Sequence, residues 1–193
     1  GTFNVTIILS PDNAEVEIGD LISSARESIF IEQAYIEKDW EYLNPFLNAI
    51  VKKNESGVGV KVILNYNPAY ESTNKMNEET HAYLKEKGID VKFVYTNSSP
   101  LTNVHDKGMI VDGESVLISS INFNENSVRN NREVGIIIKN KEVAEYFTNV
   151  FKHDWNAEFE EKESMIDKEK IEMILAGVVL STAFLIIYFH RRR

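Results

Sequence analysis

One stretch, from His105 to Glu133, carries residue types suited to work on a phosphate ester. It holds His105, Lys107, Asp112, Ser120, Asn122 and Glu133 in the spacing H-x-K-x4-D, then S-x-N, then a Glu eleven residues after the Asn. An imidazole is a nucleophile or base, an ammonium is a fixed positive charge, and a hydroxyl and an amide donate hydrogen bonds. Gathered on one small anion, this set fits a phosphodiester better than a carbonyl or a sugar. By average residue usage the first part of the pattern arises by chance in a chain of this length about one time in a hundred. We therefore treat it as signal.

Two short strands must position these groups. Lys107–Val111 and Ser115–Ser119 read as strands joined at Asp112-Gly113, a pair that favours a tight hairpin. Side chains alternate along a strand, so His105 and Lys107 project to one side. Ser120 and Asn122 share a face just past the second strand.

The rest of the chain alternates strand and helix. Strands are expected at Val5–Leu9, Ile29–Ile36, Val60–Tyr66, Ile89–Tyr95 and Glu133–Lys139, and helices at Glu17–Glu27, Pro45–Lys53, Asn77–Lys87 and Lys141–Phe159. Asn67–Lys75 reads as a polar loop. Val143, Phe147, Val150, Phe151 and Trp155 fall on one stripe of the last helix and read as core. Glu32 and Gln33 read as ordinary edge or strand-end polar residues. The fold class that follows is α/β, a mixed, largely parallel sheet of about seven strands flanked by helices.

At 193 residues the chain has room for one good core. It begins on Gly1 and not Met, which we read as a processed or excised piece of something longer. There is no cysteine, so disulfides and Cys-ligated metals are excluded. The net charge of −9 argues mildly against non-specific nucleic-acid binding, which wants a basic surface. No metal is implied: His105 and Asp112 are not at ligand spacing, and a Lys at the centre of the set repels a divalent ion. No cofactor is expected.

The motif resembles that of the phospholipase D superfamily, the enzymes with the "HKD" signature. The likeness covers about residues 5–160, with S-P-D near the N-terminus, the strand IFIEQAYI and the helix end FKHDW also similar. It implies His105 as a nucleophile forming a phosphohistidine. It implies Lys107, Asn122 and Ser120 as holders of the non-bridging oxygens, and Glu133 as hydrogen-bond partner of the His105 ring. Asp112, on the opposite parity, is expected to support the framework and not to touch substrate. Ser119 stands where the family usually has Gly. The family's site lies between two HKD halves, and only one is present: none of His81, His153 and His190 has a Lys two residues on. Each of these reads as structural, on a helix surface, in the packed helix end and at a bilayer interface. The second half is expected from a homodimer or a missing upstream segment.

The tail changes character. Residues 161–172 read as a charged stalk after a catalytic domain at 1–160. Met173–Phe189 is uncharged over seventeen residues, about 25 Å as a helix, the short end of a membrane span. Three arginines follow in the 190–193 tail, which places the C-terminus in the cytoplasm and the catalytic domain outside it. Sequons at Asn4, Asn54 and Asn97 are compatible with that exposure. The reading is a membrane-anchored phosphodiesterase acting on phospholipid, by hydrolysis or transfer. Its alternatives are an exported endonuclease of the same superfamily and a catalytically silent phosphate-binding or oligomerisation module.

Overall fold

The computed structural model describes residues 4–96 and 101–157. The expected stalk, membrane span and basic tail lie outside the described residues. Among the described residues no helix is long and apolar enough to cross a membrane.

Seven strands form one sheet: β1 (Asn4–Leu9), β2 (Ser28–Gln33), β3 (Gly59–Tyr66), β4 (Asp90–Tyr95), β5 (Lys107–Val111), β6 (Ser115–Ser119) and β7 (Val134–Lys139). Their order is β1-β7-β6-β5-β2-β3-β4. Only β2-β3 and β3-β4 pair in parallel, and the other four pairings are antiparallel. Parallelism as a pairing is thus confined to the βαβ half, although β1 and β6 also run in the direction of β2, β3 and β4. The hairpin β5-β6 and its neighbour β7 need no crossover helix, which is why the second half departs from the parallel scheme.

Helices cover both faces. The helices α1 (Ala14–Ser24), α2 (Pro45–Glu55) and α3 (Glu71–Glu86) lie on one side. There Ile18, Ile22, Leu47, Ile50 and Leu84 pack with Ile29, Ile31, Val62, Met109 and Leu117 of the sheet. On the other, α4 (Lys141–Asn156) sets Ala144, Phe147 and Phe151 against Phe30, Ile63, Ile110, Val116 and Ile118. Phe151 stacks on Phe30 at 4.9 Å between centroids. The stripe expected to be core is only partly so, because Val150 is exposed.

Helix boundaries shift where apolar spacing is a poor guide. α3 begins six residues before the expected Asn77, because its inward face opens with Asn74, Asn77 and Thr80, all buried and hydrogen-bonded. α1 begins at Ala14, three residues early, behind Asn13, whose amide is bonded to Leu9 N–H and the Ile7 carbonyl. The Asn-rich stretch after Asn122 contains a single π turn, Asn126–Asn130.

Candidate active site

Strand direction brings the motif to one edge of the sheet. β5 starts there with Lys107, β6 ends there with Ser119, β7 starts just after Glu133, and β2 ends there with Gln33. The hairpin forms as expected: Asp112 and Gly113 take φ of 55° and 59°, and Glu114 N–H donates to the Val111 carbonyl at 3.0 Å. Positive φ at both central residues is what a tight, strand-matching turn requires.

That hairpin lies at the far edge from His105, which settles the geometry around Asp112. Its carboxylate accepts from the backbone N–H groups of Arg26, Glu27 and Ser28 at 2.8–3.2 Å. Burial pushes the carboxyl up, but these three donors outweigh it and hold the group below its ordinary value. Asp112 anchors the start of β2 to the hairpin.

At the motif edge, Lys107 is 5 % exposed, while His105 is exposed. The Lys107 ammonium donates to the His105 carbonyl at 2.6 Å. Burial lowers its proton affinity, opposed by the carboxylates of Asp106 and Glu133. Ser120 Oγ donates to Glu133 at 2.5 Å, and Asn131 donates to the other carboxylate oxygen at 3.2 Å. The hydrogen bond expected between Glu133 and the His105 ring is not made within one chain. Asn122 Oδ1 is buried without a hydrogen-bond partner.

Several residues at this edge were not legible as site residues. Gln33, read as a strand-end polar group, is fully buried on the central strand β2, in register with Lys107, and neither atom of its amide has a partner. Ser10 Oγ is likewise buried and unpartnered, while its N–H donates to the Glu133 carbonyl at 3.0 Å. Native interiors leave few such atoms, and an ordered water, an ion or a ligand commonly completes them. The Tyr35 phenol reaches Ser127 and Asn122; burial raises it, as do the carboxylates of Glu37 and Glu133, against those two hydrogen bonds. The only sequence cue was the similarity of S-P-D and IFIEQAYI to the family.

Glu32, the other polar residue of β2, turns to the α4 face. Burial, then Asp106 and Asp154, raise its carboxyl to about 8, against the nearby Lys92. It lines a cavity of about 410 Å³ between β5, β6 and α4 that reaches His105. Of the remaining histidines, His81 stacks on Phe93 at 4.6 Å between centroids. His153 is exposed beside Asp154, not packed in the helix end as expected. His190 lies outside the described residues.

Ser119 fits for a specific reason. Across the strand pair stands Gly135, where an added Cβ would lie 2.7 Å from Ser119 Cβ. Ser119 Oγ donates to the Lys107 carbonyl at 3.1 Å and accepts from Ile121 N–H at 3.2 Å. The Cβ missing at position 135 makes room for the one at 119.

Among the described residues, no group of three or more His, Asp or Glu side chains is arranged to hold a metal. The sheet order, the two helical layers and the one-edged motif are those of a phospholipase D-like α/β domain. The family model described as cardiolipin synthase, PLD-like domain, matches residues 18–155, and the chain belongs to this phospholipase D-like family. It is similar to Nuc of Salmonella typhimurium, a phospholipase D family member (TM-score 0.67, 26% identity, covering 80% of this chain and 95% of Nuc). NucT of Helicobacter pylori shares the fold (TM-score 0.64, 22% identity, 80% and 96% covered). Among curated proteins it resembles DISARM protein DrmC of Bacillus paralicheniformis, 25% identical over 65% of this chain and 50% of the relative. It also resembles cardiolipin synthase 1 of Staphylococcus epidermidis, 26% identical over 74% and 28% respectively. The chain spans half or less of the length of these curated relatives.

Proposed function

We propose that this domain cleaves phosphodiesters through a phosphohistidine on His105, as one half of a two-fold site. The observation that carries the reading is the convergence of His105, Lys107, Asn122 and Glu133 on one sheet edge, with the spare hydrogen-bonding atoms of Gln33, Asn122 and Ser10 around them. A ring nitrogen of His105 attacks phosphorus, forming a P–N bond as the P–O bond to the leaving alcohol breaks. The leaving oxygen takes a proton from His105 of the partner subunit, which then takes one from the water that releases the phosphate ester. Lys107 and Asn122 hold the non-bridging oxygens as charge builds, while Ser120, whose one hydroxyl proton goes to Glu133, positions that carboxylate at the site edge. Asp112 acts at the framework. The chemistry needs no metal.

The substrate reading favoured is a polynucleotide. The likeness to Nuc, at 26% identity and TM-score 0.67, supports a small nuclease of the superfamily. The lipid reading keeps two supports: the family model described as cardiolipin synthase, PLD-like domain, and the uncharged run Met173–Phe189, which as a membrane anchor would hold the site near phospholipid with its catalytic domain outside the cytoplasm.

The second half is proposed to come from another copy. On the sheet face shared with α4, Val5, Ile7 and Leu9 of β1 stand opposite Ile138, Ile136 and Val134 of β7, and Ile7 and Val134 are 63% and 56% exposed. The Leu9–Val134 end of this surface adjoins Ser120 and Glu133. An apolar face of this kind suits burial by a partner.

The test is specific activity on a chromogenic phosphodiester in EDTA, measured against protein concentration, with His105→Asn alongside. Activity that rises to a plateau and vanishes in the variant is the expected result. Residual turnover in His105→Asn overturns the nucleophile, and loss in EDTA that zinc or magnesium restores overturns the metal-free chemistry.

A further inference from the structure

A second hollow opens beside His105, on the side away from α4. It measures about 240 Å³ and is lined by Ala34, Tyr35, Asn65, Tyr70, Thr73 and Asn103 together with His105. Among the described residues, no carboxylate and no ammonium lines it. Its walls are the ends of β2 and β3, the first turn of α3, and two irregular stretches, the turn after β3 and the segment before β5, which side-chain amides hold. Asn65 accepts from Val104 N–H at 2.9 Å. Asn67 donates to the Thr102 carbonyl at 3.1 Å and to Asn103 Oδ1 at 2.7 Å. Asn74 exchanges hydrogen bonds with both backbone groups of Asn67, at 2.8 and 3.1 Å. Asn77 ties Ala34, Ile36 and Asn65 together at 2.8–3.0 Å.

Asn65, Asn74 and Asn77 are buried. A buried amide costs desolvation unless its bonds are made, so stability alone would be served as well by apolar side chains. A fully satisfied polar network instead rigidifies what it holds, and here that is two loops facing the nucleophile. On the rim, Tyr70 is 51% exposed, and among the described residues its ring stacks on no other.

We propose that this hollow seats one base of a single-stranded polynucleotide next to the phosphodiester at His105, with Tyr70 as its stacking platform. The proposal rests on the phosphodiesterase reading and names the substituent that the phosphate carries. Aromatic faces take any base by stacking, and the amide of Asn103 and hydroxyl of Thr73 offer edges to its polar rim. A choline- or ethanolamine-type headgroup would find no carboxylate to meet its ammonium. Drug-sized ligands fill pockets of about 300 Å³ and more, so this one suits a single nucleotide and not a diacyl lipid. A base paired within a duplex is held in its stack, so the strand entering must be single. Stacking also reconciles nucleic-acid binding with a net charge of −9, since it does not depend on a basic surface.

The experiment titrates a tetrathymidylate onto the full chain carrying His105→Asn, which removes turnover from the measurement. Adding Tyr70→Ala is expected to weaken binding about tenfold, and Tyr70→Phe to hold it within about twofold. Equal affinity with and without the Tyr70 ring overturns the proposal. So does binding of glycerophosphoglycerol as tight as that of the tetrathymidylate. Turnover of a chromogenic phosphodiester by the wild-type chain is read separately. An inert wild type with Tyr70-dependent binding sinks the cleavage reading and supports the base subsite; active enzyme with Tyr70-independent binding does the reverse.

Discussion

Lys107 and Glu32 show how two charged side chains on neighbouring strands acquire different tasks. Lys107 faces the motif edge, where burial lowers its proton affinity but two carboxylates oppose the loss. A cation kept out of bulk water acts on a phosphoryl group through a lower effective dielectric, so its charge counts for more there. Glu32 points to the other face and meets two further carboxyls. Its raised value carries a stability consequence with a definite sign. Below the ordinary 4.5 it is protonated folded and unfolded, so it imposes no penalty; that stability is lost as pH rises and is gone above about 8. Glu32→Gln is expected to match wild type in Tm near pH 4.5 and to exceed it by several degrees at pH 8.5. A Tm difference that stays constant across that range contradicts the buried-acid account.

At the scale of elements, the β5-β6 hairpin is fixed at both ends. One end is clamped by Asp112, at φ 55°, to three backbone N–H groups. Asp112→Ala removes the acceptor and puts a side chain that gains nothing locally into the left-handed region, at a cost of about 3 kcal/mol. The expected outcome is a Tm lower by about 6–12 °C in thermal unfolding. A catalytic role for Asp112 would instead appear as lost kcat at unchanged Tm. Because the carboxyl sits below its ordinary value, the stability it contributes is present above that value and lost as pH falls through it. The other end is closed by Ser119, whose hydroxyl bridges the Lys107 carbonyl and Ile121 N–H and so ties the strand bearing Lys107 to the turn leading to Asn122.

At the scale of the molecule, one sheet face is covered by a single helix and the β1-β7 side of it is left apolar and open. If a second copy closes it, Ile7→Glu places a charge at the centre of that contact, where burial without a partner is costly. The variant is expected to elute as a monomer in size-exclusion chromatography and to lose most phosphodiester turnover at every concentration tested, while keeping its circular dichroism spectrum. A monomeric Ile7→Glu with wild-type turnover would show that each chain's site is complete by itself.

The seven strands and the hairpin at Asp112-Gly113 were legible in the sequence, because each rests on local rules: apolar runs and a turn pair. What sits at a distance in the chain was not. Glu133 lies thirteen residues from Ser120, its observed partner, and nothing local separates that contact from the His105 contact implied by the family. Gln33 does end its strand, as read, but neighbours in sequence do not tell that β2 is interior, flanked by β3 and β5, and so that this end is buried. The early start of α3 was hidden because its buried face is made of Asn and Thr, whose apolar pattern is nil. The same amides shape the hollow beside His105, and they do so only once β3, α3 and the segment before β5 are side by side. Alternation fixes which way a side chain points relative to its own strand; which strands become neighbours, and so what each polar group meets, is decided by the packing of the whole sheet against its two layers of helices.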